Sequence, residues 1–389
     1  MHKFVDIIKG TSKEEFFEKY YGQRLLRSHL GIESVLTLID WDKFNSLLDI
    51  TTVHNGKNIG YSKSGEAEFN PSSIWLQNGK LSSQEVSNLI STGHTFIINS
   101  IHTRLNSFDS LANDMQSVFR EDVNFNIYLS QKPEVGFGLH WDDHDVFAIQ
   151  VYGRKYWKVF GFSEPHPLER KKGKQFKEHI EPIWEGYLEQ GDCLYLPRGM
   201  WHSVVSTGIP SMHITCGVNG FTSIDILNWM VAHAKDCDLL RKGIAPNCLD
   251  FKDTSDAIQD WVSDFLKDNP VERYWDDKQA HRSPRSIANF PSSLNVTWTS
   301  NSDACKIRYM GPENPLTWNS DNSTFVVING KEYKFDLDIK PLVDLIFENI
   351  EHDSKQILNK ADDIGASDKL LELLKTLEYD GVISRVNYE

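Results

Sequence analysis

Glu189-Gln190-Gly191-Asp192-Cys193-Leu194-Tyr195-Leu196-Pro197-Arg198-Gly199-Met200-Trp201-His202 reads as a tight turn, a strand, and a Pro-x-Gly step that delivers a histidine. Sixty positions before that histidine stands Asp142, within Gly136-Phe137-Gly138-Leu139-His140-Trp141-Asp142, where the residues leading up to the histidine carry little side-chain bulk. Around these two points lie short alternating or β-rich runs at 123–130, 146–152, 155–160, 193–196 and 212–218, broken by Gly and Pro. Strands at this spacing predict a sandwich or barrel. Their alternation predicts one polar face. Asn124, Asn126, Tyr128 and Ser130 share a side against Phe125, Ile127 and Leu129; His213, Thr215 and Gly217 share a side against Met212, Ile214, Cys216 and Val218. Buried polar side chains need partners, and a metal with an anionic ligand would supply them.

His140, Asp142 and His202 are the candidate metal ligands. Two imidazoles and one carboxylate on one face of an octahedron hold Fe(II) and leave positions open for a 2-oxo acid and O2. If His140 and Asp142 lie on a strand, they point to the same side as i and i+2. An HxD pair alone is weak, because it arises by chance; the flanking pattern gives it weight. Lys155 shares its strand face with Trp157 and Val159, with Tyr156 and Lys158 opposite. A lysine on an inward apolar face is costly without an anion. The distal carboxylate of 2-oxoglutarate would be that anion, with Tyr128 and Thr215 as hydroxyl donors. The alternative is that Lys155 snorkels to water from a strand end.

Working outward, Ser12 followed by Glu15 reads as a helix start. The first 120 residues mix short helical and strand signals. From 223 to about 278 the pattern turns helical, with Ile224, Leu227, Met230 and Val231, then Ile258, Trp261, Val262 and Phe265. Residues 281–300 are rich in Pro, Ser, Asn and Arg and read as a linker. In the last part, 325–334 reads as a hairpin turning at Asn329-Gly330, 339–350 and 368–377 as helices, and 381–386 as a final strand. Helices followed by a short β element predict a winged-helix-like unit. Among 389 residues, 40% are apolar and 25% charged, the composition of an ordinary globular protein. The net charge of −14 argues against nonspecific nucleic-acid binding and suits a basic partner, or simply solubility. Five scattered cysteines without a CxxC argue against a disulfide framework and fit a reducing compartment. With no run approaching a membrane span and no leader pattern, the expectation is a cytoplasmic protein.

Together, Asn126-x-Tyr128, Gly138-Leu139-His140-Trp141-Asp142-Asp143, Val146-Phe147-x-x-Gln150, Gly153-x-Lys155-x-Trp157 and Gly191-Asp192-x-Leu194-Tyr195-x-Pro197-Arg198-Gly199-x-x-His202 resemble the ribosomal oxygenases. These are JmjC (cupin-4) 2-oxoglutarate oxygenases that hydroxylate arginine or histidine side chains of ribosomal proteins. The resemblance implies an α+β fold with a double-stranded β-helix (cupin/JmjC) core over 1–221. It further implies a helical dimerisation region over 222–280, a linker over 281–300 and a winged-helix-like domain over 301–389. It implies iron on His140, Asp142 and His202, and 2-oxoglutarate on Lys155, Tyr128, Asn126 and Thr215. O2 would be the oxidant, a basic ribosomal protein the substrate, and a homodimer the assembly. Trp141 departs from the Tyr or Leu expected between the ligands; it should point away from the metal, and it leaves the substrate open. Other functions in the same frame are lysine demethylation, hydroxylation of a peptide natural product, and a catalytically inactive cupin that only binds a partner.

Overall fold

The computed structural model describes residues 3–52, 59–76, 78–164, 166–168, 181–244, 251–268, 271–280, 298, 305–311, 315–320, 322–328, 330–348 and 351–386. Contacts divide the chain into two units, Met1–Gly220 and Phe221–Glu389. Most of the 281–300 stretch, Cys248 and Asn329 lie outside the described residues. Among the described residues, no helix is long and apolar enough to cross a membrane.

Among the described residues, the first unit carries eleven strands: β1 (Leu26–His29), β2 (Ile59–Lys63), β3 (Glu66–Phe69), β4 (Thr95–Ile98), β5 (Val123–Ser130), β6 (Asp145–Tyr152), β7 (Lys155–Phe162), β8 (Trp184–Leu188), β9 (Asp192–Leu196), β10 (Met200–Ser206) and β11 (Ser211–Val218). They form an eight-stranded sheet in the order β1-β9-β6-β11-β5-β4-β2-β3 and a three-stranded sheet in the order β10-β7-β8. Every described pairing in this unit is antiparallel. This is the two-sheet architecture of a cupin barrel. β8 and β10 were not legible as strands; β10 begins only three residues after Pro197 and carries the second histidine.

Alternation along β5 and β11 decides what each face of the large sheet meets. Phe125, Ile127, Leu129, Met212, Ile214, Cys216 and Val218 join an apolar cluster with Phe4, Phe16, Leu111, Met115 and Phe119 from the N-terminal helices. Each such side chain contributes about 1.5–3 kcal/mol on burial. Ser12 caps the helix Lys13–Lys19, its hydroxyl accepting from Glu15 N at 3.1 Å. A second, smaller cluster lies among Ala148, Trp157, Val159, Leu188, Leu194 and Leu196.

The chain crosses from β6 in the large sheet to β7 in the small one through Gly153 and Arg154 alone. Gly153 has φ +60°, and a Cβ there would lie 2.4 Å from Pro210 O. Gly153→Ala is therefore expected to lower stability by about 1–3 kcal/mol, through left-handed strain plus a backbone clash. Urea unfolding checks this; a midpoint equal to that of the parent would contradict it.

In the second unit, the helices Ser223–Ala234, Lys252–Asp268 and Glu272–Ala280 are joined by an aromatic cluster of Trp229, Phe265 and Tyr274. The indole of Trp229 donates to Asp277 Oδ2 at 2.7 Å. Further on come β12 (Lys306–Tyr309), β13 (Leu316–Ser320), β14 (Ser323–Ile328), β15 (Lys331–Asp336), β16 (Glu351–Asp353) and β17 (Ile383–Val386), in sheets β16-β12-β17 and β13-β14-β15. Ile328 pairs with Lys331, which sets a two-residue turn, and Gly330 takes φ +78°. The helices Lys340–Ile346, Ser354–Asp363 and Ser367–Tyr379 pack Val343, Ile346, Ile357, Leu370, Leu374 and Leu377 into one core.

Candidate active site

The first feature of the site is a backbone contact. The connection between β5 and β6 runs beside β10 and touches it at two isolated antiparallel bridges, Val135↔Val205 and His140↔His202. At the second, His140 N donates to His202 O at 3.0 Å and His202 N donates to His140 O at 2.7 Å. Directly opposed residues of an antiparallel pair project to the same side. The two rings accordingly lie 4.3 Å apart between centroids. Gly199 N donates to Asp142 O at 2.8 Å, which ties the aspartate's backbone to the turn ahead of β10. The expectation that His140 and Asp142 share a strand does not hold. His140 is a lone bridge residue and Asp142 lies outside any strand, so pairing across to β10, rather than i, i+2 alternation, brings the three candidate ligands together.

Asp142 Oδ2 lies 4.0 Å from His140 Nε2 and 3.7 Å from His202 Nε2. All three ligand atoms fall within 4.8 Å of one another. The other ring nitrogens are committed. His140 Nδ1 lies 3.0 Å from Gly138 O, and His202 Nδ1 lies 3.1 Å from Met200 O. Donation to those carbonyls places the ring protons on Nδ1 and leaves both Nε2 lone pairs for a cation. Trp157 stacks on the His202 ring at 5.8 Å and fixes its plane.

The triad opens into a cavity of about 220 Å³ lined by residues of both sheets. Lys155, Tyr128 and Thr215 line it; Asn126 does not. Asn126 Oδ1 instead accepts from Ser100 N at 3.0 Å, so its amide serves the turn after β4. Trp141 is buried and likewise absent from the lining. Lys155 is 2% exposed. Its Nζ donates to Tyr128 O at 3.2 Å and to His213 Nδ1 at 2.8 Å, and among the described residues no carboxylate pairs with it. Burial pushes the ammonium down to about 7. His213 stacks on Tyr128 at 4.8 Å with an interplanar angle of 10°, and burial followed by the Lys155 charge holds it well below its ordinary value. In sequence His213 carries no signal beyond the polar alternation it shares with Thr215. At another edge the lining includes Glu134, which is exposed, and Phe137. Neither stood out in the sequence, since nothing local directs them to the triad.

The donor set fits a divalent cation: two imidazoles and a carboxylate converge, and each ring's Nδ1 already faces a backbone carbonyl. The cavity beside it fits an anion, because the cation it buries has no counter-ion among the described residues.

Residues 99–226 match the JmjC domain family. Proteins named bifunctional lysine-specific demethylase and histidyl-hydroxylase NO66 are similar to this chain. That of Caenorhabditis briggsae is 30% identical over 232 residues, covering 54% of this chain and 27% of its own length. That of Dictyostelium discoideum is 30% identical over 225 residues, covering 54% and 41%. The chain thus matches between about a quarter and two-fifths of the length of these curated relatives. The fold is shared with Escherichia coli ribosomal oxygenase YcfD, at a TM-score of 0.59 and 17% identity over 96% of this chain and 98% of that one. The structure of YcfD with cobalt and 2-oxoglutarate matches equally, with a TM-score of 0.59 and 16% identity.

Proposed function

We propose that this chain, which carries a JmjC domain, is an Fe(II)- and 2-oxoglutarate-dependent oxygenase that hydroxylates a basic side chain of a protein, with a ribosomal protein favoured. The observation that carries this reading is the pairing, in one cavity, of a His140/Asp142/His202 donor set with a buried lysine that has no counter-ion among the described residues. His140 and His202 would present Nε2 to iron, and Asp142 would add the anionic ligand. Lys155 would hold the distal carboxylate of 2-oxoglutarate through its ammonium, and Tyr128 and Thr215 line the same space. When bound, iron with 2-oxoglutarate supplies the oxidising equivalents from O2 that a C–H hydroxylation needs. The two sheets exclude water around Trp157, and the triad fixes where the target carbon must sit.

Glu134 supports a cationic target. Among the described residues, it and Asp142 are the carboxylates of the lining, and Asp142 belongs to the metal. A guanidinium or protonated imidazole at the cavity edge would pair with Glu134. Purified protein incubated with Fe(II), 2-oxoglutarate and arginine- or histidine-centred ribosomal-protein peptides is expected to release succinate and to add the mass of one oxygen to a peptide. Loss of a methylene from a methyl-lysine peptide would instead indicate the demethylation for which the relatives are also named. Glu134→Gln is expected to raise the peptide KM about tenfold with kcat little changed, as loss of one charge-assisted pair. No succinate with any peptide, from protein loaded with iron, would defeat the oxygenase reading.

Two further readings go with this one. Ile224, Leu227 and Val231 stand exposed at i, i+3 and i+7 on the helix Ser223–Ala234, an apolar stripe that suits a second copy of the chain. The helices and strands from Lys306 to Val386 suit a winged-helix-like module.

A further inference from the structure

Lys155 has three N–H donors and two are already committed, one to Tyr128 O and one to His213 Nδ1. The acceptance at Nδ1 has a consequence for the other side of the imidazole. A neutral histidine that accepts on Nδ1 carries its proton on Nε2. His213 lines the cavity, and its Nε2 makes no hydrogen bond to any described residue. The ring cannot turn away, because it is stacked on Tyr128 at 4.8 Å and held edge-on by Trp157 at 5.7 Å. β11 sets its position: His213 pairs with Tyr128 on one side and Gln150 on the other, with Thr215 next along the same face.

We propose that His213 is a positioning residue for the distal carboxylate of the cosubstrate: its Nδ1 aims the remaining N–H of Lys155 into the cavity, and its Nε2–H offers a second donor beside it. The inference rests on the 2-oxoglutarate reading above and adds a group to it. It makes the anion site a coupled lysine–histidine pair rather than a lone lysine. It also requires the histidine to be neutral, since a protonated ring could not accept from Lys155. A dicarboxylate is selected over a plain 2-oxo acid because only the dicarboxylate reaches this pair.

The test uses the Co(II)-loaded chain, with cobalt in place of iron so that no turnover occurs. Calorimetry measures binding of 2-oxoglutarate and of 2-oxopentanoate, which has the same carbon chain without the distal carboxylate. His213→Phe keeps the ring and its stacking but removes both nitrogens. It is expected to weaken 2-oxoglutarate about tenfold or more, as loss of a charge-assisted hydrogen bond, and to leave 2-oxopentanoate unchanged. His213→Asn, whose side-chain oxygen can stand near the Nδ1 position, is expected to recover most of the loss. Equal weakening of both ligands, or no weakening of 2-oxoglutarate, overturns the inference. Should the Phe variant fail to fold, the Asn variant decides: affinity within a few-fold of the parent supports the role, and an Asn variant as weak as Lys155→Ala overturns it. If Lys155→Ala also binds 2-oxoglutarate as the parent does, the cosubstrate reading of the cavity is what fails, and the histidine's role falls with it.

Discussion

Asp142→Ala is expected to abolish oxidation, with succinate formation falling on the order of a thousandfold or more, about 4 kcal/mol of lost activation. The reason lies in the geometry of the triad. Asp142 Oδ2 is the one anionic donor, 3.7–4.0 Å from both Nε2 atoms. Without it two neutral imidazoles face a divalent cation, and a facial set of three becomes an incomplete pair. The backbone cost should be small, because Asp142 O accepts from Gly199 N and that anchor does not depend on the side chain. The variant should therefore melt close to the parent while binding less iron. Metal analysis after dialysis, thermal melting and a succinate assay on the same preparation check it. A variant that retained one iron per chain and parental turnover would remove Asp142 from the ligand set.

Lys155→Met should separate binding from folding in a different way. It is expected to weaken 2-oxoglutarate about a hundredfold, or ~2.7 kcal/mol, since the buried cation would be the anion's charged partner. Two pH dependences accompany it, with opposite signs. In the ligand-free protein burial lowers the ammonium from 10.5 to about 7, so between those values the unfolded chain binds more protons than the native one. The Lys155 contribution to stability therefore rises as pH climbs through that window. Affinity for the dianion moves the other way, because the ammonium is the binding form and its population falls as pH passes about 7. Each further pH unit costs up to about tenfold in affinity. The methionine variant should flatten both slopes. Calorimetry from pH 6 to 9, beside urea midpoints at the same pH values, makes the comparison; an affinity that rose with pH in the parent would contradict the assignment.

Some of the fold is visible along the chain. β5, β7 and β11 show one apolar and one polar side in alternation, and the structure places their apolar sides on buried clusters. β6 and β9 announce themselves as short β-rich runs, β6 ending just before Gly153 and β9 lying between Gly191 and Pro197. β10 does not: Met200-Trp201-His202 offers no alternation that local pattern can separate from the turn before it. The helix Ser354–Asp363 is equally hard to read along the chain, because its polar residues outnumber the apolar ones that give it a buried face through Ile357, Leu358 and Ala361.

The candidate site divides in the same way. The amino-acid order alone determined which residue types are available and at what intervals: two histidines and an aspartate, a lysine on an inward face, and polar side chains every second residue along β5 and β11. These are properties of local geometry and chemistry. Only tertiary pairing decided which of those groups meet. The bridge between His140 and His202 joins residues sixty-two positions apart, and no short-range rule specifies it. Asn126 and Tyr128 share one strand face, yet one amide is taken by Ser100 N outside the cavity while the other ring stacks inside it. Lys155 and His213 come within 2.8 Å only because β7 and β11 belong to two sheets that face one interior. A buried polar group takes whichever partner the packed chain brings within hydrogen-bond distance, and that is settled in three dimensions.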